Sequence, residues 1–395
     1  MVTKKILLIE LKNNNLGDSI IADTCEYIIK SINQHVSISR IGLFPPKSIM
    51  KNFKKYLPFK AYNFLIEKTK HKYIQHILEF IKWHRFTKKN KPAYKYYYDA
   101  ISASDIVIVA GGGLIKYSRE DLWNPIYTIT KICSENNIPI MFNAVGVEGY
   151  DKNNFRCQLL KRSLSNKCVS ITTRDDFAKL KKYIPKNKQT SIVGDSALYT
   201  QETYNIRTNN SDIIGIGLIR GKIYTDYGFN FQEENIIDAY VNIIKELEKN
   251  NFKWQLFCNG GKSDYRMGEN ILQRLNLPIS ETYISPRPLE PRELVCNISK
   301  YKAIIAARLH ACIVATSLNI PAIGLIWNDK LKLFGKLIGF ENRFIEKEKF
   351  INPEYVLEQL KEAIQDQYDE NKIKNLKSLT LENLTNFIKE RKLPS

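Results

Sequence analysis

The chain has 395 residues, 44% of them hydrophobic, and 60 lysines and arginines against 41 acids give a net charge of +19. That length exceeds one simple core and predicts about two domains. The seven cysteines form no C-x-x-C pair and lie mostly in apolar stretches, which excludes a disulfide frame or zinc site, and no segment approaches the ~20 apolar residues of a membrane span. The basic surplus favours anionic partners: a phosphorylated substrate, nucleic acid or an acidic membrane face. A lysine-rich solvated surface is the plainer explanation.

Lys4-Lys5 precede only Ile6–Ile9 before Glu10, too short for the apolar run of a signal peptide, so a cytoplasmic location is expected. Lys5–Leu11 predicts the first strand, and the polar loop Asn13–Asp18 follows. Ser19–Ile32 predicts a helix, because Ile20, Ile21, Cys25, Ile28, Ile29 and Ile32 share one broad face. Further strands are expected at Val36–Ile41, Asp105–Ala110, Ile138–Ala144 and Cys168–Thr172. The polar stretch Gln201–Asp212 reads as a linker. Beyond it, strands are expected at Ile213–Leu218, Lys253–Cys258, Ala303–Ala307 and Ala322–Ile326, with helices at Glu233–Lys249, Tyr265–Leu275 and Ala311–Leu318. The tail Pro353–Arg391 is helical by pattern.

Alternation of this kind implies an α/β protein with two Rossmann-like domains of parallel sheet facing a cleft. The expected boundaries are 1–203 for the first domain, 212–350 for the second and 351–395 for a helical tail. Within the first domain, 47–91 stands apart as a basic helical insertion whose only acids are Glu67 and Glu79. Aromatics are interleaved, and Ile74, Ile77, Leu78 and Ile81 fall at helical spacing. Such a helix suits peripheral contact with an anionic membrane, at the inner face; a helix pair covering the sheet with its lysines in water explains the same pattern.

Several polar residues sit where strands run into helices, the edge at which open α/β sheets bind ligands. Asn15-Leu16-Gly17-Asp18 offers backbone N–H groups to an anion or sugar hydroxyl, although N-capping alone would explain Asp18. Gly111-Gly112-Gly113 directly follows a strand and suits a close ligand approach, or a purely structural turn. It matches neither a dinucleotide fingerprint nor a phosphate loop. Arg174 lies just past a strand and could clamp a carboxylate or phosphate, or pair with Asp175 or Asp176. Arg308-Leu309-His310 follows the apolar strand Ala303–Ala307 and places a fixed cation and a titratable imidazole at a helix start. Lys330, after the next strand, adds a second cation or is simply solvated.

The order of these segments resembles the polysaccharide pyruvyl transferase family. The resemblance runs from Lys5 to Gly339 through Asn15-x-Gly17-Asp18, the strand and glycines to Gly113, Thr173-Arg174-Asp175, Val193-Gly194-Asp195-Ser196-Ala197, Arg308-Leu309-His310-Ala311 and Pro321–Lys330. Its most specific piece is Arg308-Leu309-His310; Val193-Gly194-Asp195 lacks the proline often beside that aspartate, and 47–91 matches nothing in the pattern. The resemblance implies a fold similar to GT-B glycosyltransferases and transfer from phosphoenolpyruvate to a sugar or lipid-linked oligosaccharide of a cell-surface polysaccharide, such as a capsule or exopolysaccharide. The products are a pyruvate ketal and phosphate. Arg174, Arg308 and His310 carry over as the basic residues. For the chemistry so implied, an imidazole is the side chain that exchanges protons near neutrality, so His310 is expected to act as general acid/base and Asp18 to orient or deprotonate the acceptor. Asn15, Gly17, Gly111, Gly112, Gly113 and Lys330 are expected to contact substrate. No metal or cofactor is demanded, since arginines can carry the charge.

Two other readings compete. A nucleotide-sugar glycosyltransferase of the same fold would need an acid for the ribose, which Glu290 or Glu293 could supply. A nucleic-acid-binding module fits the charge but shows no recognition motif and leaves Arg308 and His310 unexplained.

Overall fold

The structure is a computed structural model. It describes residues 3–12, 15–50, 91–117, 122–209 and 211–390, with positions 68, 74, 75, 77, 78 and 81. The expected basic insertion therefore lies outside the described residues from 51 to 90, apart from those six positions. The chain forms two compact units, one of Met1–Lys12, Ile29–Val193 and Glu382–Ser395, the other of Asn13–Ile28 and Gly194–Leu381. Among the described residues no helix is long and apolar enough to cross a membrane.

The first unit holds strands β1 (Lys4–Glu10), β2 (Val36–Gly42), β3 (Ile106–Val109), β4 (Gly112–Lys116), β5 (Ile140–Glu148) and β6 (Val169–Thr173), ordered β2-β1-β3-β5-β4 with β6 also on β5. Every pairing is parallel. Strands such as Ile106–Val109 are buried throughout, as a sheet covered on both faces requires. β5 is bulged: Ala144 takes φ 47, the register with β6 shifts between Phe142 and Val145, and the segment beyond pairs with β4.

The glycine run differs from expectation. Gly111 and Gly112 take φ 127 and 96, so the backbone there needs glycine, but Gly112 already opens β4. Leu114 and Ile115 are fully buried, and their burial carries the chain on as a strand rather than turning it into a helix.

The second unit holds β7 (Ile213–Gly217), β8 (Lys253–Phe257), β9 (Ala303–Ala306), β10 (Ala322–Leu325) and β11 (Phe344–Ile345), ordered β11-β10-β9-β7-β8 and again all parallel. Its core packs Ile214, Ile216, Ile305 and Ile323 against the helix Glu233–Lys249. That helix forms because Ile236, Tyr240, Ile243, Ile244 and Leu247 recur at helical spacing on its buried side. Glu233 and Glu234 lie in its first turn and Lys249 in its last, complementing the helix dipole. Each large apolar side chain so buried contributes about 1.5–3 kcal/mol.

Three helix starts come earlier than the apolar periodicity alone implies. The first helix runs Leu16–Ile32, another Lys262–Arg274 and a third Leu309–Ser317. In each case the first turn carries a polar residue, Asp18, Asp264 or His310, that is buried without joining the apolar stripe, so it adds nothing to the apolar periodicity. The tail is two helices, Pro353–Gln365 and Glu370–Glu390.

Close packing in the second sheet offers a direct check. A methyl on Gly215 of β7 would lie 2.4 Å from the Tyr301 ring, which is 2% exposed and donates its hydroxyl hydrogen bond to Gln255. Gly215→Ala is expected to cost about 1–3 kcal/mol in denaturant unfolding with an unchanged slope. A midpoint equal to wild type would show that the ring yields freely.

Candidate functional site

In the second unit the carboxyl ends of β7, β8, β9 and β10 carry polar residues. The helix Leu309–Ser317 begins directly after β9. Arg308 is its N-cap residue, in extended conformation, and its side chain does not cap the helix. His310 falls in the first turn and is 6% exposed. The first turn contains no acid. The helix thus brings a guanidinium and an imidazole to its own positive end, an arrangement that favours an anion.

Arg308 does not stand free. Its Nε donates to Asp264 Oδ2 at 2.8 Å and its Nη2 to Asp264 Oδ1 at 2.6 Å. Asp264 is 2% exposed in its side chain and also accepts from the backbone N–H of Arg220 at 2.9 Å. Loss of either partner would strand a buried charge, at a cost of about 3–5 kcal/mol. Reading Arg308 as an uncommitted anion clamp is therefore incomplete, since one edge of its fork is taken.

The segment Asn15–Asp18 belongs to the same unit and adjoins His310. A Cβ on Gly17 would fall 2.3 Å from His310 Nδ1, so only a glycine backbone fits beside the imidazole. The Leu16 N–H donates to the Asn259 carbonyl at 3.0 Å, tying this helix start to the end of β8. Asn15, not Asp18, precedes the helix: its Oδ1 accepts from the Gly17 N–H at 3.4 Å. Asp18 is buried within the first turn, because the helix starts three residues before the apolar pattern does.

The loop after β8 was not singled out by sequence. Asn259 is 1% exposed, and neither polar atom of its carboxamide has a hydrogen bond among the described residues. Gly260 takes φ 95, and its carbonyl accepts from Arg287 Nη1 at 2.8 Å. Burial pushes the Cys258 thiol up to about 11; the Gly260 backbone hydrogen bond opposes this, Asp264 adds to it, and Arg287 and Arg308 act against it, so the thiol is held in its less reactive protonated form near neutrality. Trp327 Nε1 donates to the Ala307 carbonyl at 2.6 Å, linking the ends of β9 and β10. Lys330 follows, half-buried, in the first turn of the helix Asp329–Ile338.

In the first unit the expected residues also gather at the carboxyl edge. A Cβ on Gly146 would lie 2.8 Å from Asp175 Oδ2, 3.3 Å from Gly113 Cα and 3.5 Å from the Gly112 carbonyl. The glycine run and the end of β6 are thus neighbours. Arg174 is 5% exposed and its N–H donates to the Val145 carbonyl. Asp175 Oδ1 accepts from the Val147 and Asp176 N–H groups, while Asp176 accepts from the Lys179 N–H and caps its helix.

Glu290 and Glu293 have structural work instead. Glu293 accepts from the N–H groups of Leu289 and Glu290 at 2.7 and 3.3 Å, which closes the start of the helix Pro291–Ile298. Among the described residues no group of three or more His, Cys, Asp or Glu side chains could hold a metal ion.

Comparison with known proteins follows the same lines. The UDP-GlcNAc 2-epimerase of Methanocaldococcus jannaschii is similar over 98% of this chain and 99% of its own, at 13% identity and a TM-score of 0.57. The S. aureus MnaA–UDP co-structure is similar over 100% and 99%, at 16% identity and 0.56. At these identities the likeness shows the fold alone: two Rossmann-like α/β units, GT-B-like. No curated protein matches the sequence. The profile for polysaccharide pyruvyl transferase matches residues 15–329. That span takes in Asn15, the glycine run, Arg174, Arg308 and His310, and the chain belongs to the polysaccharide pyruvyl transferase family.

Proposed function

We propose that this enzyme transfers the pyruvyl unit of phosphoenolpyruvate to two hydroxyls of a sugar, in a cell-surface polysaccharide or its precursor, and releases phosphate. The observation that carries this reading is the positive helix end at Arg308 and His310, which lacks any acid in its first turn. Phosphoenolpyruvate bears a carboxylate and a phosphate, so it needs several cations. Arg308 supplies one and Lys330 a second.

The chemistry balances as follows. A proton is added to the methylene carbon of the donor, leaving an oxocarbenium-like centre at the carbon that bears phosphate. One sugar hydroxyl attacks this centre and gives up its proton. The second hydroxyl then displaces phosphate, which carries away the remaining proton. His310 is assigned to deliver and recover this proton, the role for which an imidazole is suited. Asp18, buried one residue from Gly17, is assigned to orienting or deprotonating the acceptor. The wall that Gly17 forms against the imidazole supports the proton-transfer role, because it restricts the ring to one place.

Incubation with phosphoenolpyruvate and candidate free or lipid-linked glycosides should produce a new ketal methyl signal in NMR. Thermal-shift titration should favour phosphoenolpyruvate over nucleotide sugars; the reverse preference would overturn the reading. His310→Ala should lower phosphate release by about 10²–10⁴-fold while circular dichroism stays native. Turnover like wild type would remove His310 from the mechanism. Arg308→Ala should weaken donor binding roughly 10- to 100-fold, the worth of a hydrogen bond to a charged group. An unchanged affinity in calorimetry would contradict the clamp. Gly17→Ala should displace the imidazole and cost about 10²-fold in turnover, as small misplacements of catalytic groups do. Near-normal turnover would mean the helix start shifts and leaves the ring in place.

A further inference from the structure

We infer that Asp264 is a positioning residue for the donor-binding arginine: its buried carboxylate holds one edge of the Arg308 guanidinium so that the other edge is presented to the anionic donor. The inference rests on the proposed donor role of Arg308.

A guanidinium has five N–H donors in a rigid planar fork. Asp264 takes the Nε–H and one Nη2–H. Both Nη1 hydrogens and the second Nη2 hydrogen remain; one Nη1 hydrogen and that Nη2 hydrogen are parallel and form the adjacent end-on edge, which matches a carboxylate or phosphate in a two-point contact. Among the described residues no hydrogen bond to that edge is made, and the Arg308 side chain is 19% exposed.

Asp264 itself cannot swing away. It accepts from the Arg220 N–H and stands in the first turn of the helix Lys262–Arg274, whose positive end favours its charge. Gly261 passes so close that a Cβ there would lie 3.2 Å from Asp264 Oδ2. The carboxylate is thus fixed by the Arg220 N–H and by its place in the first turn, and it fixes the arginine in turn.

Stability alone is a poor reason for this pair, since an apolar pair of similar volume is usually as good. Attraction of the donor is no reason either, because a carboxylate beside Arg308 repels an anion. What remains is orientation. The sign of the electrostatic effect separates these cases. Removing the Asp264 charge should leave donor attraction unchanged or stronger, while the geometry needed for turnover is lost.

The test is a double-mutant cycle on phosphate release from phosphoenolpyruvate with Arg308→Ala, Asp264→Asn and the double variant. Asp264→Asn is expected to lower kcat about tenfold or more with no rise in KM, and the double variant should match Arg308→Ala within about twofold, as residues acting as a unit do. A kcat within about twofold of wild type, or multiplying effects in the double variant, would overturn the inference. A second measurement needs no turnover. In NMR of arginine-labelled wild-type protein, the Arg308 Nε–H, assigned by its loss in Arg308→Lys, should be protected from solvent exchange. Rapid exchange of that proton overturns the inference. Absence of any ketal product from wild-type protein, with the Nε–H protected, would instead count against the donor assignment and leave the Asp264–Arg308 lock standing.

Discussion

A buried negative charge organises the ligand edge of the second unit. Asp264, 2% exposed in its side chain, joins the end of β7 through the Arg220 N–H, its own helix start, and the end of β9 through Arg308. A charge so placed is tolerable only while its partners stay put. The strand ends that meet there are therefore held in one arrangement, and Arg308 and His310, two residues apart, inherit that order.

The rest of the edge fits around this pair by close contact rather than by more charge. Gly17 admits the His310 ring because it has no side chain. The Leu16 N–H ties the same segment to the carbonyl of Asn259. Helix dipole, guanidinium and imidazole then add at one place, a combination that favours an anion. The first unit has its own dense edge, in which the glycines at Gly112 and Gly113 pack against Gly146 and Asp175.

Fold likeness does not by itself fix the chemistry. The UDP-GlcNAc 2-epimerase of M. jannaschii is matched along nearly its whole length at 13% identity, yet a shared scaffold carries many reactions. What distinguishes the chain is its site. Glu290 and Glu293, the acids that a nucleotide-sugar reading would recruit, close a helix start through backbone N–H groups. The arginine and histidine after β9 fall within residues 15–329, the span that the pyruvyl transferase profile matches.

Strands such as Ala303–Ala306 and Ile106–Val109 were legible in the sequence because a strand buried on both faces must be continuously apolar. Arg308 and His310 were legible for the same reason, as the first polar residues after such a run. The true helix starts were not, because Asp18, Asp264 and His310 in the first turns are buried as polar residues and leave no apolar periodicity. The glycine run became a strand, β4, through pairing with β5, a contact no local pattern encodes. Asp264 shows the division most plainly. An aspartate after two glycines reads as an ordinary helix start, and its partner lies 44 positions away. The local sequence determined that a cation and an imidazole would stand at a strand end; only the folded chain decided which carboxylate would hold that cation, because long-range pairing depends on where the β8 and β9 loops meet.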